Sequence, residues 1–435
     1  MSDPATPQPD HARRGTPLRG GVHTSERALA PDLARGLMLL LICMSNTGFY
    51  LWAAQHGPTG WHPTDGTTLD TAAQFAMITG LDLRIYPLFA FLFGYGMMQL
   101  FLRQTASGTP ERTTVALLRK RSLWLIVLGF AHAGLLMAGD ILGAYGVMSL
   151  ILGWIFLRRS DRTLLIAAGV FLILLIALIP LAYLELRTGT VETDVMASTV
   201  GYAAGEDNVL AAAITRTVTW LFVTLGGGLL SFGFYTPMLL GFWAARRRIL
   251  ENPSQHLRLL GTTAVLGVAV GWVGGLPAAL AHIGIWSVPA ELQVESGILF
   301  NLQSATGVFG GLGYAALVGL VVYGMSTRAR ESLPVVAVSA LGKRSLSGYL
   351  AQSVLFSPLL AAWGLGLGQY LGSATMVLFA LGVWLVTVVA SYLLERAGRR
   401  GPAEVLLRRL MYGRGEPVVG AEQRQVPQHQ QQEHG

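Results

Sequence analysis

Long apolar runs alternate with short polar connections along most of the chain. A helix needs about 20 apolar residues to cross the hydrocarbon core of a bilayer, and most of these runs are close to that length. The pattern predicts an all-α protein, a polytopic transmembrane bundle of about ten helices. The predicted spans are 33–54, 84–102, 123–138, 141–157, 164–186, a sixth that ends at Arg246, 259–281, 306–325, 346–365 and 375–394.

Two of these spans are irregular. The stretch 209–245 is too long for one upright span, and it predicts an interfacial helix through about Thr217 followed by the sixth span. Glycines 226–228 and Pro237 are expected to kink that span. Pro180 lies inside the fifth span, where a neighbouring helix must satisfy the carbonyl group that it leaves free.

The two ends of the chain are polar. Residues 1–30 contain four prolines and resemble no signal peptide, and residues 415–435 are rich in glutamine. Such segments cannot bury enough apolar surface to fold. We predict a disordered cytoplasmic tail at 1–30, an integral membrane domain at 31–414 that ends in an amphipathic helix, and a second disordered tail at 415–435.

The basic residues set the predicted orientation. All but three of the 31 Lys and Arg residues lie in every second polar connection, and the exceptions are Arg84, Arg187 and Arg216. Cytoplasmic loops of membrane proteins carry such an excess of Lys and Arg. The distribution therefore predicts a multi-pass protein of the bacterial inner membrane with both termini in the cytoplasm.

The composition argues against several other classes. Charged residues make up 13% of the chain, against roughly 25% in soluble domains. The net charge of +7 flanks apolar spans instead of forming one face, which argues against nucleic acid as a partner. Cys43 is the one cysteine, and His56 and His62 lack a second ligand pair at zinc spacing. We therefore expect no metal site. Membrane lipids are the expected neighbours of the protein, and the sequence leaves its oligomeric state open.

Five short segments form a recognisable series. They are PDLARG at 31–36 running on to Asn46, FAFLFGYG at 89–96, GFAH at 129–132 followed by GDILGAYG at 139–146, LGKRSLSGYLAQS at 341–353, and GPAE at 401–404. In this order the segments resemble the YeiB-like family of bacterial membrane proteins, over about residues 27–414. The chain departs from the family pattern at Ser347-Gly348, where Thr-Asn is usual, and at Val405, where Trp is usual.

This family is similar in its first helix to the transmembrane acyltransferases. The resemblance implies transfer of an acyl group from cytoplasmic acyl-CoA to a glycan, lipid or small-molecule acceptor at the outer face. Acyl-CoA would then be a co-substrate, and no tightly bound cofactor is expected. The alternatives are a permease or exporter of a small molecule and a non-catalytic membrane protein. The absence of a convincing internal repeat leans against transport.

Titratable groups inside a bilayer are costly, so the few in this chain are candidate site residues. His132 lies eleven positions beyond Arg121, and Asn46 lies eleven beyond Arg35. At roughly 1.5 Å per residue, both are about 16 Å from those arginines. We predict His132 as general base, Asp140 as its orienting partner and Asn46 as a donor to the developing oxyanion. The alternative is an interhelical hydrogen bond for His132 or Asn46 and a helix cap for Asp140.

Further residues are predicted to contact the substrates. Arg35, one turn beyond Asp32, belongs to the motif shared with the acyltransferases. Because arginine suits phosphate, a donor phosphate site is also expected among the basic residues of the cytoplasmic loops. Those residues also serve topology and lipid headgroups, which is the alternative. The predicted substrate-binding residues are Arg35, Arg84, Tyr349 and Gln352, and the predicted phosphate-binding residues are Arg119, Arg121 and Arg344.

Overall fold

The computed structural model describes residues 28–193 and 196–412, and every regular element within these ranges is helical. The predicted all-α fold is therefore confirmed. The tails predicted at 1–30 and 415–435 lie outside the described residues, apart from 28–30, where the first helix begins. The helices are α1 (Leu29–Gly48), α2 (Thr68–Gly80), α3 (Ile85–Ala106), α4 (Glu111–Leu135), α5 (Ile141–Phe156), α6 (Asp161–Ile176), α7 (Leu178–Thr188), α8 (Ser198–Gly201), α9 (Val209–Phe222), α10 (Gly228–Leu230), α11 (Phe232–Arg246), α12 (Leu257–His282), α13 (Ile298–Gly324), α14 (Thr327–Arg330), α15 (Leu333–Lys343), α16 (Ser345–Leu360), α17 (Ser373–Arg396) and α18 (Pro402–Tyr412).

Seven segments of the described chain are long and apolar enough to cross a membrane: α1, α3, α6 with α7, α9 through α10, α12, α13 and α17. The other predicted spans correspond to α4, α5 and α16. Helix α4 begins at Glu111, twelve residues before the predicted span, so Arg119 and Arg121 are part of the helix. Helices α5 and α16 have 16 residues each, and the predicted ninth span was too long at its end.

The two ends of the bundle differ in their side chains. Arg103, Arg248 and Lys343 line one cavity, and Arg246 donates to the carbonyl of Arg159 nearby. We call this end the basic end. At the other end, which we call the opposite end, the loops after α1, α7 and α12 meet one another, as Ser198 N–H donates to the Gly60 carbonyl.

The fifth predicted span is two helices instead of one. Helix α6 ends at Ile176 and α7 begins at Leu178. Pro180 has no N–H group to donate to the carbonyl of Ile176, four residues earlier, and its ring crowds that carbonyl. The break therefore falls where the proline predicts a weak point, and the two helices together form a 28-residue segment.

The prediction for 209–245 was wrong in where the helix breaks. The helix does not end near Thr217 but continues as α9, passes through a π-helical turn (Val223–Gly227) and stops at Ser231. Arg216 near its start contacts the end of α4, whereas Arg246 at the end of α11 pairs with Asp161. The chain thus crosses the bundle once, obliquely, in two pieces.

The polar segment after α1 contains a buried helix that the hydropathy pattern does not predict. Helix α2 starts with a capping box between Thr67 and Asp70. The Asp70 carboxylate also accepts the Ala374 N–H at 2.9 Å, which ties α2 to the start of α17. These hydrogen bonds, first of all the one from Ala374, hold the pKa of Asp70 below its ordinary value.

Helices α4 and α5 approach each other closely enough to require glycine. A Cβ atom on Gly129 would collide with the Asp140 carboxylate and with the backbone of Gly143. Because neither glycine has a side chain, the start of α5 can lie directly against α4. This contact positions the candidate site.

Candidate functional site

His132 and Asp140 form a buried pair between α4 and α5. His132 Nδ1 lies 2.8 Å from Asp140 Oδ1, and the two residues are 4% and 0% exposed. Asp140 is also the N-cap of α5, because its Oδ2 accepts the Gly143 N–H at 2.9 Å. The same oxygen accepts the Trp220 indole N–H from α9 at 3.2 Å. Both sequence-based interpretations of Asp140, orienting partner and helix cap, are therefore compatible in one side chain.

The hydrogen bonds around Asp140 select one tautomer of the His132 imidazole. Both carboxylate oxygens act as acceptors, so Nδ1 of His132 carries the hydrogen that it donates to Asp140. In the imidazole form with this hydrogen on Nδ1, Nε2 is an acceptor. This atom is buried and has no hydrogen-bond partner in the described chain. Such an imidazole can take a proton from a group placed beside Nε2.

Tyr349 of α16 packs against this pair. Its ring centroid is 5.1 Å from that of His132, and it is 2% exposed. Its hydroxyl accepts the Ile141 N–H at 3.3 Å, which leaves the hydroxyl hydrogen available for another acceptor. The predicted polar side chain on α16 therefore lies beside the predicted base.

A cavity of about 670 Å³ leads from the basic end to Tyr349. Leu142 and Tyr349 form its deep end, while Met38, Phe89 and Leu92 are among its apolar walls. Its charged lining is mixed but mainly basic. The basic side chains are Arg35, Arg103, Arg121, Arg248, Lys343 and Arg408, and the acidic ones are Asp32, Glu251 and Glu404.

Two of the predicted residues lie close together in this cavity. Arg35 pairs with Asp32 at 3.2 Å, as its position one turn away predicts, and also donates to the Leu92 carbonyl at 3.3 Å. The Arg121 guanidinium lies 4.8 Å above the ring of Phe93. Arg35 and Arg121 are near enough to repel each other electrostatically. An anion in the cavity would relieve that repulsion.

Of the ten predicted site residues, Arg35, Arg121 and Tyr349 line the cavity. The His132–Asp140 pair does not line it, and its link to the cavity is Tyr349.

Four other predicted residues do not line the cavity either. Asn46 is buried on α1 and makes no hydrogen bond with His132 in the described chain. Gln352 is buried one turn beyond Tyr349, and its Nε2 has no partner there. Arg119 is exposed. Arg344 donates to Glu395 at 2.7 Å and to the Arg399 carbonyl, so it holds α16 against the end of α17.

Arg84 lies near the opposite end of the bundle, away from the cavity. It is fully buried and donates to the carbonyls of Ile78, Asp82 and Gly271, which joins the start of α3 to α12. The expected pairing with Asp82 is thus made through the backbone of Asp82. The Asp82 carboxylate instead contacts His62 Nε2 at 2.6 Å, a pair that the sequence spacing did not suggest.

The sequence interpretation also missed Trp220, which fixes the carboxylate of the candidate pair. Trp220 is 80 residues from Asp140 in the chain. A buried indole N–H is expected to find some hydrogen-bond acceptor, but the sequence does not indicate which one. No local signal joins these two residues.

The fold and the buried pair define the class of the protein: an integral membrane protein whose apolar helices enclose a His–Asp pair next to a basic cavity. Residues 244–414 match a family described as a protein of unknown function, DUF418. The chain is 26% identical to the uncharacterized protein YxaH of Bacillus subtilis, over 91% of this chain and 97% of YxaH. It is likewise 26% identical to the uncharacterized protein YeiB of Escherichia coli, over 91% of this chain and 98% of YeiB. These matches confirm the predicted resemblance to the YeiB-like family. No solved structure matches.

Proposed function

We propose that the protein is a transmembrane acyltransferase of the bacterial inner membrane. It would move an acyl group from acyl-CoA to a hydroxyl or amine of an envelope or small-molecule acceptor. One observation carries this proposal: the basic cavity ends at Tyr349, which packs on the His132–Asp140 pair. The positive-inside rule puts the basic end in the cytoplasm, where acyl-CoA is found.

The dimensions of the cavity suit a donor of this kind. His132 is eleven residues beyond Arg121 on α4, which corresponds to about 16 Å along the helix axis. The pantetheine arm of CoA has roughly thirteen bonds between its diphosphate and its sulfur, or about 15 Å at the spacing of an extended peptide chain. With phosphates at Arg35 and Arg121, the thioester would therefore reach Tyr349 and His132.

The proposed reaction follows from the geometry of the pair. The acceptor oxygen or nitrogen attacks the thioester carbonyl carbon while His132 Nε2 takes its proton. Asp140 stabilises the imidazolium that forms. The carbon–sulfur bond then breaks, and the leaving thiolate takes the proton back from His132. The products are the acylated acceptor and CoA, so atoms and protons balance.

Ligand-induced stabilisation tests the donor site. Acetyl-CoA and longer acyl-CoAs should raise the melting temperature of the detergent-purified protein, since a ligand at about 100 times its Kd stabilises by about 2.7 kcal/mol. Arg121→Gln should lose this effect. Arg119→Gln is the matched control, because Arg119 is exposed on the same helix and does not line the cavity. Equal stabilisation of all three proteins, or of none, would contradict the proposal.

A permease or exporter is the second candidate. The π-helical turn and the break at Ser231 lie in the middle of a crossing, and transporters use discontinuous helices at their binding sites. A transporter binds its substrate without acyl-CoA. It would catalyse no acyl transfer, so the wild type and His132→Ala would be equally inactive in that assay. Acyl-CoA turnover by purified protein therefore separates the two candidates. A non-catalytic protein would tolerate joint replacement of His132, Asn46 and Asp140.

A further inference from the structure

Arg216 is one of the three basic residues that depart from the positive-inside pattern. It lies on α9 and is 1% exposed. Its Nε and Nη2 donate to the Gly134 carbonyl at 3.3 and 2.9 Å, at the last turn of α4. Its Nη1 is also buried, and the Nη1 edge of the guanidinium group has no hydrogen-bond acceptor in the described chain.

The charge of Arg216 is only partly balanced. It makes no ion pair with a carboxylate of the described chain, and its neighbours are the carbonyls at the end of α4 and the hydroxyl of Tyr50. A helix C-terminus offers roughly half a negative charge, and the Trp363 ring lies under the guanidinium group as a cation–π partner. No full negative charge of the described chain lies against the arginine. Arg84, the other buried exception, differs because the Asp82 carboxylate, although it pairs with His62, is near enough to stabilise the charge of Arg84.

A second donor without an acceptor lies next to Arg216. The guanidinium carbon is 5.5 Å from the ring centroid of Trp363, in the loop after α16. The indole Nε1 of Trp363 is buried and has no partner in the described chain. A buried donor without a partner is costly, so two such donors beside one buried cation indicate a binding site for an acceptor-rich group.

We infer that Arg216 and Trp363 form a binding site for an oxyanion, a carboxylate or phosphate group, in the half of the bundle towards the opposite end. Two N–H donors and an unbalanced positive charge are the features that recognise such a group. The site lies one helical turn beyond His132, because Arg216 contacts the carbonyls of Gly134 and Leu135. If the proposed acyl transfer holds, on which this last step rests, the acceptor is an anionic molecule whose charged group binds here.

Binding of simple anions tests the site without acyl-CoA. Inorganic phosphate and acetate, compared with chloride at equal ionic strength, should raise the melting temperature of the purified protein in a concentration-dependent way. Phosphate can also bind in the basic cavity, so each variant is compared with the wild type and the difference in anion-induced stabilisation is the informative quantity. Arg216→Gln should weaken anion binding at the proposed site at least tenfold. Arg187→Gln, which removes the exposed exception on α7, should leave it unchanged.

Further variants keep the test decisive if Arg216→Gln does not fold. Trp363→Phe removes one donor and retains the ring, and should weaken anion binding several-fold. His132→Ala should bind the anion as the wild type does, because His132 is not part of the anion site. Anion binding can therefore be judged even if the proposed acyl transfer proves wrong. Nanodiscs of phosphatidylglycerol and of phosphatidylcholine separate the sources of the oxyanion. A higher melting temperature in phosphatidylglycerol that is lost in Arg216→Gln would identify a lipid headgroup. An effect of free phosphate or acetate alone would identify a soluble anion. Anion binding that is unaltered in both Arg216→Gln and Trp363→Phe would overturn the inference, as would no binding of any probe.

Discussion

His132 Nδ1 and Asp140 Oδ1 meet at 2.8 Å across the junction of α4 and α5, and the orientation of both is set by α5 and α9. Asp140 is held at three points, by His132, by the Gly143 N–H and by the Trp220 indole. A carboxylate held in this way can fix the tautomer and the orientation of the neutral imidazole.

Asp140→Asn should therefore abolish most of the proposed acyl transfer while the fold is retained. Asparagine still caps a helix, but an amide donor facing Nδ1 would favour the wrong tautomer of His132. We expect acyl transfer to fall by about 10³-fold or more. The measurement is acyl-CoA turnover by purified protein, with the melting temperature as the control for folding. Turnover within a few-fold of the wild type would show that the pair has only a structural role.

Gly129→Ala should destabilise the protein and disturb the site. The added methyl group would collide with Asp140 and with the backbone of Gly143, and overpacking of this kind costs about 1–3 kcal/mol. Gly169→Ala on α6 is the control, since no atom outside its own helix lies near its Cβ position. Thermal unfolding in detergent should rank Gly129→Ala well below both the control and the wild type. A similar melting temperature for the two variants would mean that α5 can move away from α4 at little cost.

Glu404→Ala should loosen the start of α16. The carboxylate of Glu404 accepts the N–H groups of Leu346 and Ser347 at 2.9 and 3.1 Å, so it caps that helix from α18. Loss of such a cap costs about 0.5–2 kcal/mol. Glu331→Ala, at an exposed position, is the matched control. Unfolding free energies from a denaturant series would measure the difference, and equal values would argue against the cap.

Asp70 should give stability that depends on pH. Its folded-state pKa is lowered, first by the hydrogen bond from Ala374 and also by those from Thr67. A lowered folded-state pKa adds stability above the unfolded value, about 3.9 for aspartate, and this contribution is lost as the pH falls through the folded value. Asp70→Asn should therefore be less stable than the wild type at pH 7.

The difference between Asp70→Asn and the wild type should shrink below about pH 4, where the unfolded chain already binds the proton. Thr64→Ala, at an exposed and non-titratable position on the preceding loop, should show no such trend. Melting temperatures across a pH series would measure both variants. A penalty for Asp70→Asn that stays constant down to acid pH would contradict the assignment.

The sequence alone determined the all-α class and the approximate position of most of the long apolar helices. The length of an apolar run and the position of the flanking arginines are local properties, and the bilayer makes them decisive because an unpaired backbone group in hydrocarbon is costly. Equal depth was the reason to group His132 with Asn46. The break between α6 and α7 was not predicted, although Pro180 lies beside it and its missing N–H explains it.

Only the tertiary structure decided which of these residues meet. A rise of about 1.5 Å per residue gives depth along a helix, but neither the rotation of the helix nor its neighbours. Asn46 and His132 therefore make no hydrogen bond despite equal counts from their arginines, whereas Trp220 reaches Asp140 from a distant part of the chain. Helix α2 escaped prediction for a related reason: its 13 residues are too few to cross a bilayer, and its place in the bundle depends on the contact of Asp70 with the start of α17. Contacts of this kind depend on the packing of helices that are far apart in the chain, and local pattern carries no information about them.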